Sequence, residues 1–495
     1  MPLKIKNRVD GLANPILVKE MYQSVHSKKF LVAMWLLLVA SLFTYVLVYM
    51  DAGAGGTCGD TMFGTFSVFT YLMSLCVLPY LAFSTLHEEI KGRTIELIHI
   101  TRMDSRRHVR GRFLASVVKL GLLFSILAPF TVAAFLFKGV AVETILIVLY
   151  IFFCSSLVAC AVGIFFGSLT SVDRLQTVAR WTYLVLLAFT LFGGPYVVGV
   201  GFMAGPMGFS FTAFRGEILI GLGLYTLFVL LGVWFLCAAA ANLLTFEADK
   251  SSGRTKLILV FIALAALAVP FTSLLLGGTP DIEVILAVVI LPAVFLALCS
   301  FLWLTDKERV SRRRQKKLEK HGILYRLIFY PFTDGPGSSA VFLALICLLM
   351  AFSALLLLQN SGHRAGTIAD ARQYILYPVV VVFVYALFFS ALTWIIARML
   401  PARMRTATAR RVIILSLVVL NCIVGVLVVV ATGFGQAELR NPLTSLFPML
   451  YLLMLDDTNF AGAYGDLAIP ALVGMIVHGR LLFAHLRRYL RGDYD

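Results

Sequence analysis

Charged side chains are scarce in this chain of 495 residues. Asp, Glu, Lys and Arg together make up only 14% of it, whereas 60% of the residues are hydrophobic. A soluble domain is about a quarter charged and about half apolar. The shortage of charge therefore excludes an ordinary soluble protein and predicts an integral membrane protein.

Motifs for nucleotide, metal and nucleophilic chemistry are also missing. The chain has no Gly-Lys dipeptide, so it lacks the G-x-x-x-x-G-K-[ST] loop of P-loop ATPases. It has no C-x-x-C, and His87-Glu88-Glu89 does not continue to H-E-x-x-H because Lys91 stands at the second His position. We therefore expect no cofactor, no metal site and no catalytic residue, and predict that the chain is not an enzyme.

Long hydrophobic runs dominate what is present. A transmembrane helix needs about 20 apolar residues, and twelve runs meet this criterion. The fold predicted is an all-α polytopic membrane protein with both termini on the same side. The predicted spans are 30–50, 65–87, 113–137, 142–167, 181–203, 218–242, 257–277, 283–304, 339–358, 374–397, 412–434 and 467–486.

Positive charge is distributed unevenly between the two sides of these spans. Of the 42 Lys and Arg residues, 36 lie in segments on the side of the N-terminus and only five on the other side. Cytoplasmic loops carry an excess of Lys and Arg, so both termini are predicted to be cytoplasmic. Lys119 lies inside the third span and is predicted to reach back to the inner surface.

Carboxylates are absent from the middle of every predicted span. Ion-coupled carriers usually need an intramembrane carboxylate or a paired charge. This absence disfavours a twelve-span secondary transporter, which remains one alternative. A membrane-embedded enzyme or a scaffold of the cell envelope is the other, although no converging set of catalytic groups can be assembled from the sequence.

Residues 1–29 are predicted to contain an interfacial amphipathic helix. Pro15 suits the first helical position and Asn14 can cap it. Apolar residues recur at helical spacing, and polar residues are expected on the opposite, headgroup-facing side. The apolar set is Leu12, Ile16, Leu17, Met21 and Val25, and the polar set is Lys19, Glu20, Gln23 and Lys28.

The segment 88–112, between the second and third spans, is long and basic. It contains seven Lys or Arg residues, three Glu residues and Asp104. Gly92 is predicted to end one helix, and Asp104 or Ser105 to cap the next. Between them, Thr94 can cap a short helix whose positive start Glu96 would stabilise. We predict a cytoplasmic coupling segment, and the alternative is a basic loop held by anionic lipid.

Two stretches resemble the permeases of ABC-2 type transporters. The first follows the family pattern E-x-x-G-T-x-E-L-L-x-x-T-P…V-x-G-K, and the second, NPILVKE, is similar to the helix that opens many of these permeases. Three departures are Arg93 between the Gly and the Thr, Arg102 in place of Pro, and Arg112 in place of Lys. The matching positions are Asn14 to Glu20, Glu89, Gly92, Thr94, Glu96, Leu97, Thr101, Val109, Gly111 and Arg112.

This resemblance implies a permease subunit, acting in export, whose energy comes from a separate ABC ATPase subunit. It also implies a bacterial plasma (inner) membrane and a short coupling helix at residues 94–102 that contacts the ATPase. The residues implied in this coupling are Glu89, Gly92, Thr94, Ile95, Glu96, Leu97, Ile98, Thr101, Gly111 and Arg112.

Three regions are predicted. Residues 1–29 form the interfacial helix region. Residues 30–256 form a six-span, permease-like half that includes the coupling segment. Residues 257–495 form a second six-span half, which contains a basic loop at 305–338. The order of loops is similar in the two halves, which suggests a parallel repeat. If the halves are equivalent, one chain would accommodate two ATPases, and otherwise a homodimer is required. The basic loop is equally consistent with binding an ATPase or anionic lipid.

Overall fold

The computed structural model is helical over almost all the residues that it describes. These are residues 15–26, 28–52, 58–92, 104–136, 140–169, 173–203, 215–245, 253–275, 304, 329–333, 336–360, 380, 383–396, 398–399, 409–417, 419 and 468–491. The predicted all-α class is therefore confirmed for this part of the chain. The chain divides into two compact units, Met1–Thr245 and Phe246–Asp495.

The first unit contains a short helix followed by long apolar ones. In chain order they are α1 (Pro15–His26), α2 (Lys28–Ala52), α3 (Cys58–Tyr71), a π-helical turn (Leu72–Val77), α4 (Leu78–Lys91), α5 (Ser105–Leu136), α6 (Val142–Gly167), α7 (Asp173–Met203) and α8 (Arg215–Leu244). The π-helical turn joins α3 and α4 into one continuous helix. The predicted span 142–167 has the same bounds as α6.

The second unit is described in part. Its helices are α9 (Gly253–Leu275), a 3₁₀ turn (Tyr330–Phe332), α10 (Pro336–Asn360), α11 (Phe383–Ile396) and α12 (Ala468–Arg491). Near the start of α9, the buried ammonium of Lys256 donates hydrogen bonds to the carbonyl oxygens of Pro331, at 2.9 Å, and Thr333, at 2.7 Å. This cation fixes α9 to the segment that leads into α10.

Four helical stretches of the described chain are long and apolar enough to cross a membrane. They are Thr61–Lys91, Ser105–Leu136, Val142–Gly167 and Gly221–Leu244, and shorter apolar helices lie at Met34–Met50, Gly337–Phe352 and Phe383–Ile396. Large apolar side chains such as Trp35 and Phe43 of α2 are more than half exposed. Helices with apolar side chains facing outwards are typical of a membrane protein. The predicted span 283–304 and most of 412–434 lie outside the described residues.

The helix ends around the coupling segment lie where the sequence predicts them. Helix α4 ends at Lys91 with Gly92 as its C-cap. Helix α5 begins at Ser105, and the backbone N–H of Arg106 donates to Asp104 Oδ1 at 3.4 Å. Asp104 thus satisfies one of the amides that a helix start leaves unpaired. Residues 93–103, with the predicted short helix, lie outside the described residues.

Helices α4 and α6 pack closely against each other. Gly163 and Gly167, a G-x-x-x-G pair on α6, face α4. A Cβ at Gly163 would overlap the carbonyl oxygen of Pro79, and one at Gly167 would lie 3.2 Å from Leu86 Cβ. Small residues let helix backbones approach closely in membranes. The pair therefore fixes α4 against α6 along its length.

Candidate functional site

A set of charged and polar side chains is buried where α1, α4 and α5 meet, beside residues 93–103. We call it the inner polar cluster. It consists of Glu20, Thr85, Glu89, His108, Arg112 and Lys119, together with the half-exposed Lys19 at its edge. Helix α1 packs along α5, and its buried residues are spaced four apart, which places them on one helical face. These buried residues are Ile16, Glu20 and Ser24.

Arg112 is the centre of the inner polar cluster, and its side chain is only 3% exposed. One terminal nitrogen, Nη2, lies 3.3 Å from Glu20 Oε1 and also forms a close ion pair with Glu89 Oε2. The other, Nη1, donates to Thr85 Oγ1 at 3.2 Å. Because guanidinium is planar and carries five donors, one side chain can serve several acceptors at once. Arg112 thereby ties α1 to the end of α4.

The Nε of Arg112 points at a histidine on the same helix. Arg112 Nε–H donates to His108 Nε2 at 3.2 Å. An acceptor nitrogen needs a free lone pair, so this hydrogen bond requires a neutral His108 with its proton on Nδ1. His108 Nε2 also lies 3.7 Å from Glu89 Oε2, a contact that would attract only if the ring were protonated. The shorter hydrogen bond favours the neutral ring.

Two lysines complete the inner polar cluster. Lys19 Nζ donates to Glu89 Oε1 at 3.1 Å with half of its side chain exposed. Lys119 Nζ lies 3.8 Å from Glu20 Oε2 and is 12% exposed. With His108 neutral, three cations face two carboxylates, which leaves a net charge of +1. Charges buried in this way are costly to remove from water, and each depends on its partner.

A small cavity adjoins these charges. It is lined by polar side chains from the cluster, by Ser116 and by apolar side chains of α4 and α6, and it has room for about one water molecule. A cavity of this size does not hold a substrate. The arrangement is suited instead to joining three helices through ion pairs that can exchange partners.

The residues predicted for partner coupling fall into three groups. Glu89 and Arg112 are brought together in the inner polar cluster, and Gly111 is buried beside them on α5. Gly92 is the exposed C-cap of α4. The remaining six, Thr94, Ile95, Glu96, Leu97, Ile98 and Thr101, lie outside the described residues.

One prediction about charge is wrong. Glu20 was expected on the solvated side of the interfacial helix, but only 6% of it is exposed, whereas Val18 and Tyr22 are more than half exposed. The physical reason is that Arg112 and Lys119 of α5 compensate its charge inside the protein. That Lys119 reaches the inner surface stays a prediction.

Sequence reasoning missed Lys19, Glu20, Thr85, His108 and Lys119 as site residues. A signal for Glu20 was present, since Ile16, Glu20 and Ser24 follow the four-residue spacing of a buried face. No group of three or more His, Cys, Asp or Glu side chains that could hold a metal ion occurs within the described ranges. Comparison with protein-family models, curated proteins and solved structures gives no match.

Proposed function

We propose that this chain is the membrane subunit of an ATP-driven, ABC-2 type transporter that acts in export and is energised by a separate ATPase. The proposal includes twelve spans, cytoplasmic termini and a bacterial plasma membrane. Segment 93–103 would be the surface that contacts the ATPase. Its two flanking helices, α4 and α5, would carry the resulting motion into the membrane.

One observation carries the proposal. One of the two stretches that resemble the ABC-2 permeases ends at Glu20, and the other begins at Glu89 and ends at Arg112. These three charged residues form one buried ion-pair network. Glu20 and Arg112 are 92 positions apart in the sequence. The family pattern has Lys where this chain has Arg112, and either residue supplies the cation that two carboxylates need. The resemblance thus includes residues that form ion pairs with one another.

The inner polar cluster also supplies a physical route for coupling. It joins α1 to the last turn of α4 and the second turn of α5, so the two helices that flank segment 93–103 are fixed to each other. A force applied by a partner to this segment would therefore move α1, α4 and α5 together. At the ends of these two helices, Lys91 and Arg110 are exposed and would attract an acidic partner surface.

The test is a pull-down of the tagged chain from native membranes in mild detergent. A variant with Ile95→Asp, Glu96→Lys and Leu97→Asp changes the proposed contact surface. We expect wild type to recover a P-loop ATPase and this variant to lose it while inserting normally. Arg180→Glu is the matched control, because Arg180 is exposed on the next predicted cytoplasmic segment, and it should retain the ATPase.

Arg112→Lys provides a second comparison, since it keeps the cation that the family pattern has at this position. It should also retain the ATPase. If all four proteins recover the same ATPase, segment 93–103 is not the contact surface. If wild type itself recovers none, the proposed function fails.

A secondary transporter is the second candidate, and the structure supplies an observation in its favour. Glu20 is a buried carboxylate paired with Lys119 of α5, which is the kind of paired charge that ion-coupled carriers use. A carrier needs no ATPase. Absence of an ATPase from the wild-type pull-down would therefore favour this candidate over the first.

A further inference from the structure

The helix formed by α3 and α4 contains a π-helical turn in its apolar middle. The backbone N–H of Leu78 donates to the carbonyl of Met73, five residues earlier, where an α-helix would use the residue four earlier. Pro79 follows directly. Proline lacks an N–H, and its ring clashes with the carbonyl four residues before it, which is that of Leu75. The widened turn accommodates this clash.

A buried hydroxyl in the same turn has no partner. Ser74 is fully buried, and its Oγ makes no hydrogen bond in the described part of the chain. Two buried threonines donate to the preceding turn of their own helix, as Thr70 does to Phe66 O at 2.8 Å and Thr131 to Leu127 O at 2.8 Å. An unsatisfied buried hydroxyl costs free energy. Ser74 therefore adds a local cost within the π-helical turn, as the buried Ser67 does one to two turns earlier in α3.

The two halves that the turn joins are attached to different neighbours. Helix α4 packs chiefly on α6 through Gly163 and Gly167, whereas α3 packs chiefly on α5 and α7. The turn itself meets α7, where Thr190 Oγ1 lies 3.8 Å from Cys76 Sγ. Tyr71, just before the turn, donates its hydroxyl to Thr190 O at 2.9 Å. The turn also packs against α6, so it lies where the contacts of the two halves meet.

We propose that the π-helical turn Leu72–Val77 is a hinge that lets α4 rotate, together with α6, relative to α3. Conversion of the turn to α-helix would rotate α4 about its axis by up to about 100°, the angle of one residue. It would also give Ser74 a carbonyl to bond. The last turn of α4 carries Glu89, so rotation at the hinge would act on the inner polar cluster. The proposal holds whether the chain is an ATP-driven permease or a carrier.

The native cysteines provide a test. Cys76 lies in the turn and Cys160 lies on α6, and both are at most 3% exposed. The full chain in lipid nanodiscs is treated with N-ethylmaleimide, and modification of each cysteine is followed over time by peptide mass spectrometry. If the turn opens, Cys76 is expected to react several times faster than Cys160. Equal rates for the two thiols would overturn the proposal.

Two variants relate the reaction to the turn itself. Pro79→Ala restores a backbone donor, and Ser74→Ala removes the unsatisfied hydroxyl. Pro79→Ala removes the clash that favours the π form, so it should speed modification of Cys76. Ser74→Ala removes the hydroxyl that conversion would satisfy, so it should slow modification. Each change should be about fivefold, the effect of one net hydrogen bond on an opening equilibrium. Pro129→Ala is the matched control, because Pro129 lies inside α5, and it should leave the rate at Cys76 unchanged.

Thermal unfolding of each variant is measured alongside. A variant that does not fold would show faster modification of every cysteine, including Cys160. If Pro79→Ala and Ser74→Ala both fold and both leave the rate at Cys76 unchanged, the turn is not the hinge.

Discussion

Arg112 shows how one buried side chain can decide the arrangement of three helices. Its guanidinium contacts Glu20 of α1, Glu89 and Thr85 of α4, and His108 of its own helix. Removing such charges from water costs several kcal/mol per ion, and the ion pairs offset this only when every partner is present. The network therefore contributes little net stability, but it makes the junction sensitive to loss of any one member.

Arg112→Met should destabilise the protein by about 3–5 kcal/mol, because it leaves two carboxylates buried with too little positive charge. The measurement is thermal or denaturant unfolding of the purified chain in detergent. The triple variant Arg112→Met, Glu20→Gln, Glu89→Gln removes the uncompensated charge and should recover part of the loss. A triple variant less stable than Arg112→Met alone would contradict the charge argument.

At the scale of helices, the sequence predicted those boundaries that depend on local chemistry. Gly92 ends α4, Asp104 caps α5, and α6 has the bounds that its apolar run predicts. It did not predict that Glu20 is buried. A helical pattern shows which residues share a face. It does not show that the carboxylate on this face has a partner, Arg112, 92 residues further along the chain.

The π-helical turn was also missed, although Pro79 within an apolar run was a visible signal for a distorted helix. Whether a proline produces a kink, a break or a π turn depends on how the neighbouring helices pack. Here Gly163 admits the carbonyl of Pro79 and fixes the result. Packing partners of this kind are not apparent from one helix alone.

The contact between α4 and α6 predicts that adding one methyl group at Gly163 destabilises the protein. Gly163→Ala places a Cβ against the backbone carbonyl of Pro79, which cannot move aside without shifting α4. We expect a loss of about 1–3 kcal/mol, the usual cost of overpacking, measured by thermal unfolding. Gly232→Ala is the matched control, since nothing lies within 4 Å of its Cβ position. It should be neutral or stabilising by about 0.5–1 kcal/mol.

An equal loss of stability in both glycine variants would show that the contact with Pro79 does not account for the effect, because Ala alone is expected to stabilise a helix relative to Gly.

For the whole molecule, the structure describes two compact units of similar length, Met1–Thr245 and Phe246–Asp495. Each contains a buried cation at the base of a helix, Arg112 in the first and Lys256 in the second. Arg112 is held by carboxylates, whereas Lys256 donates to two backbone carbonyls and a serine hydroxyl. The predicted repeat remains a prediction, since these two sites differ in chemistry.

The predicted membrane topology, with an even number of spans and cytoplasmic termini, can be tested on the whole chain. A protease-sensitive tag placed after Asp495 should resist digestion in intact cells, because the excess of Lys and Arg predicts a cytoplasmic C-terminus. A tag inserted in residues 204–217 should be cleaved under the same conditions. Cleavage at both sites, with the cells intact, would be inconsistent with an even number of spans and a cytoplasmic N-terminus.

The burial of Glu20 has a consequence for how the protein is made. Chains fold from the N-terminus during synthesis, so α1 emerges well before α5, which carries Arg112 and Lys119 towards the bilayer. Until then, Glu20 has neither partner and is expected to remain in water. Once α5 inserts, Glu20 joins Glu89 in compensating Arg112 and Lys119 as they lose their hydration. A nascent chain shortened to start at residue 28 would insert Lys119 without its carboxylate and Arg112 with Glu89 alone, and quality-control proteases would be expected to remove it.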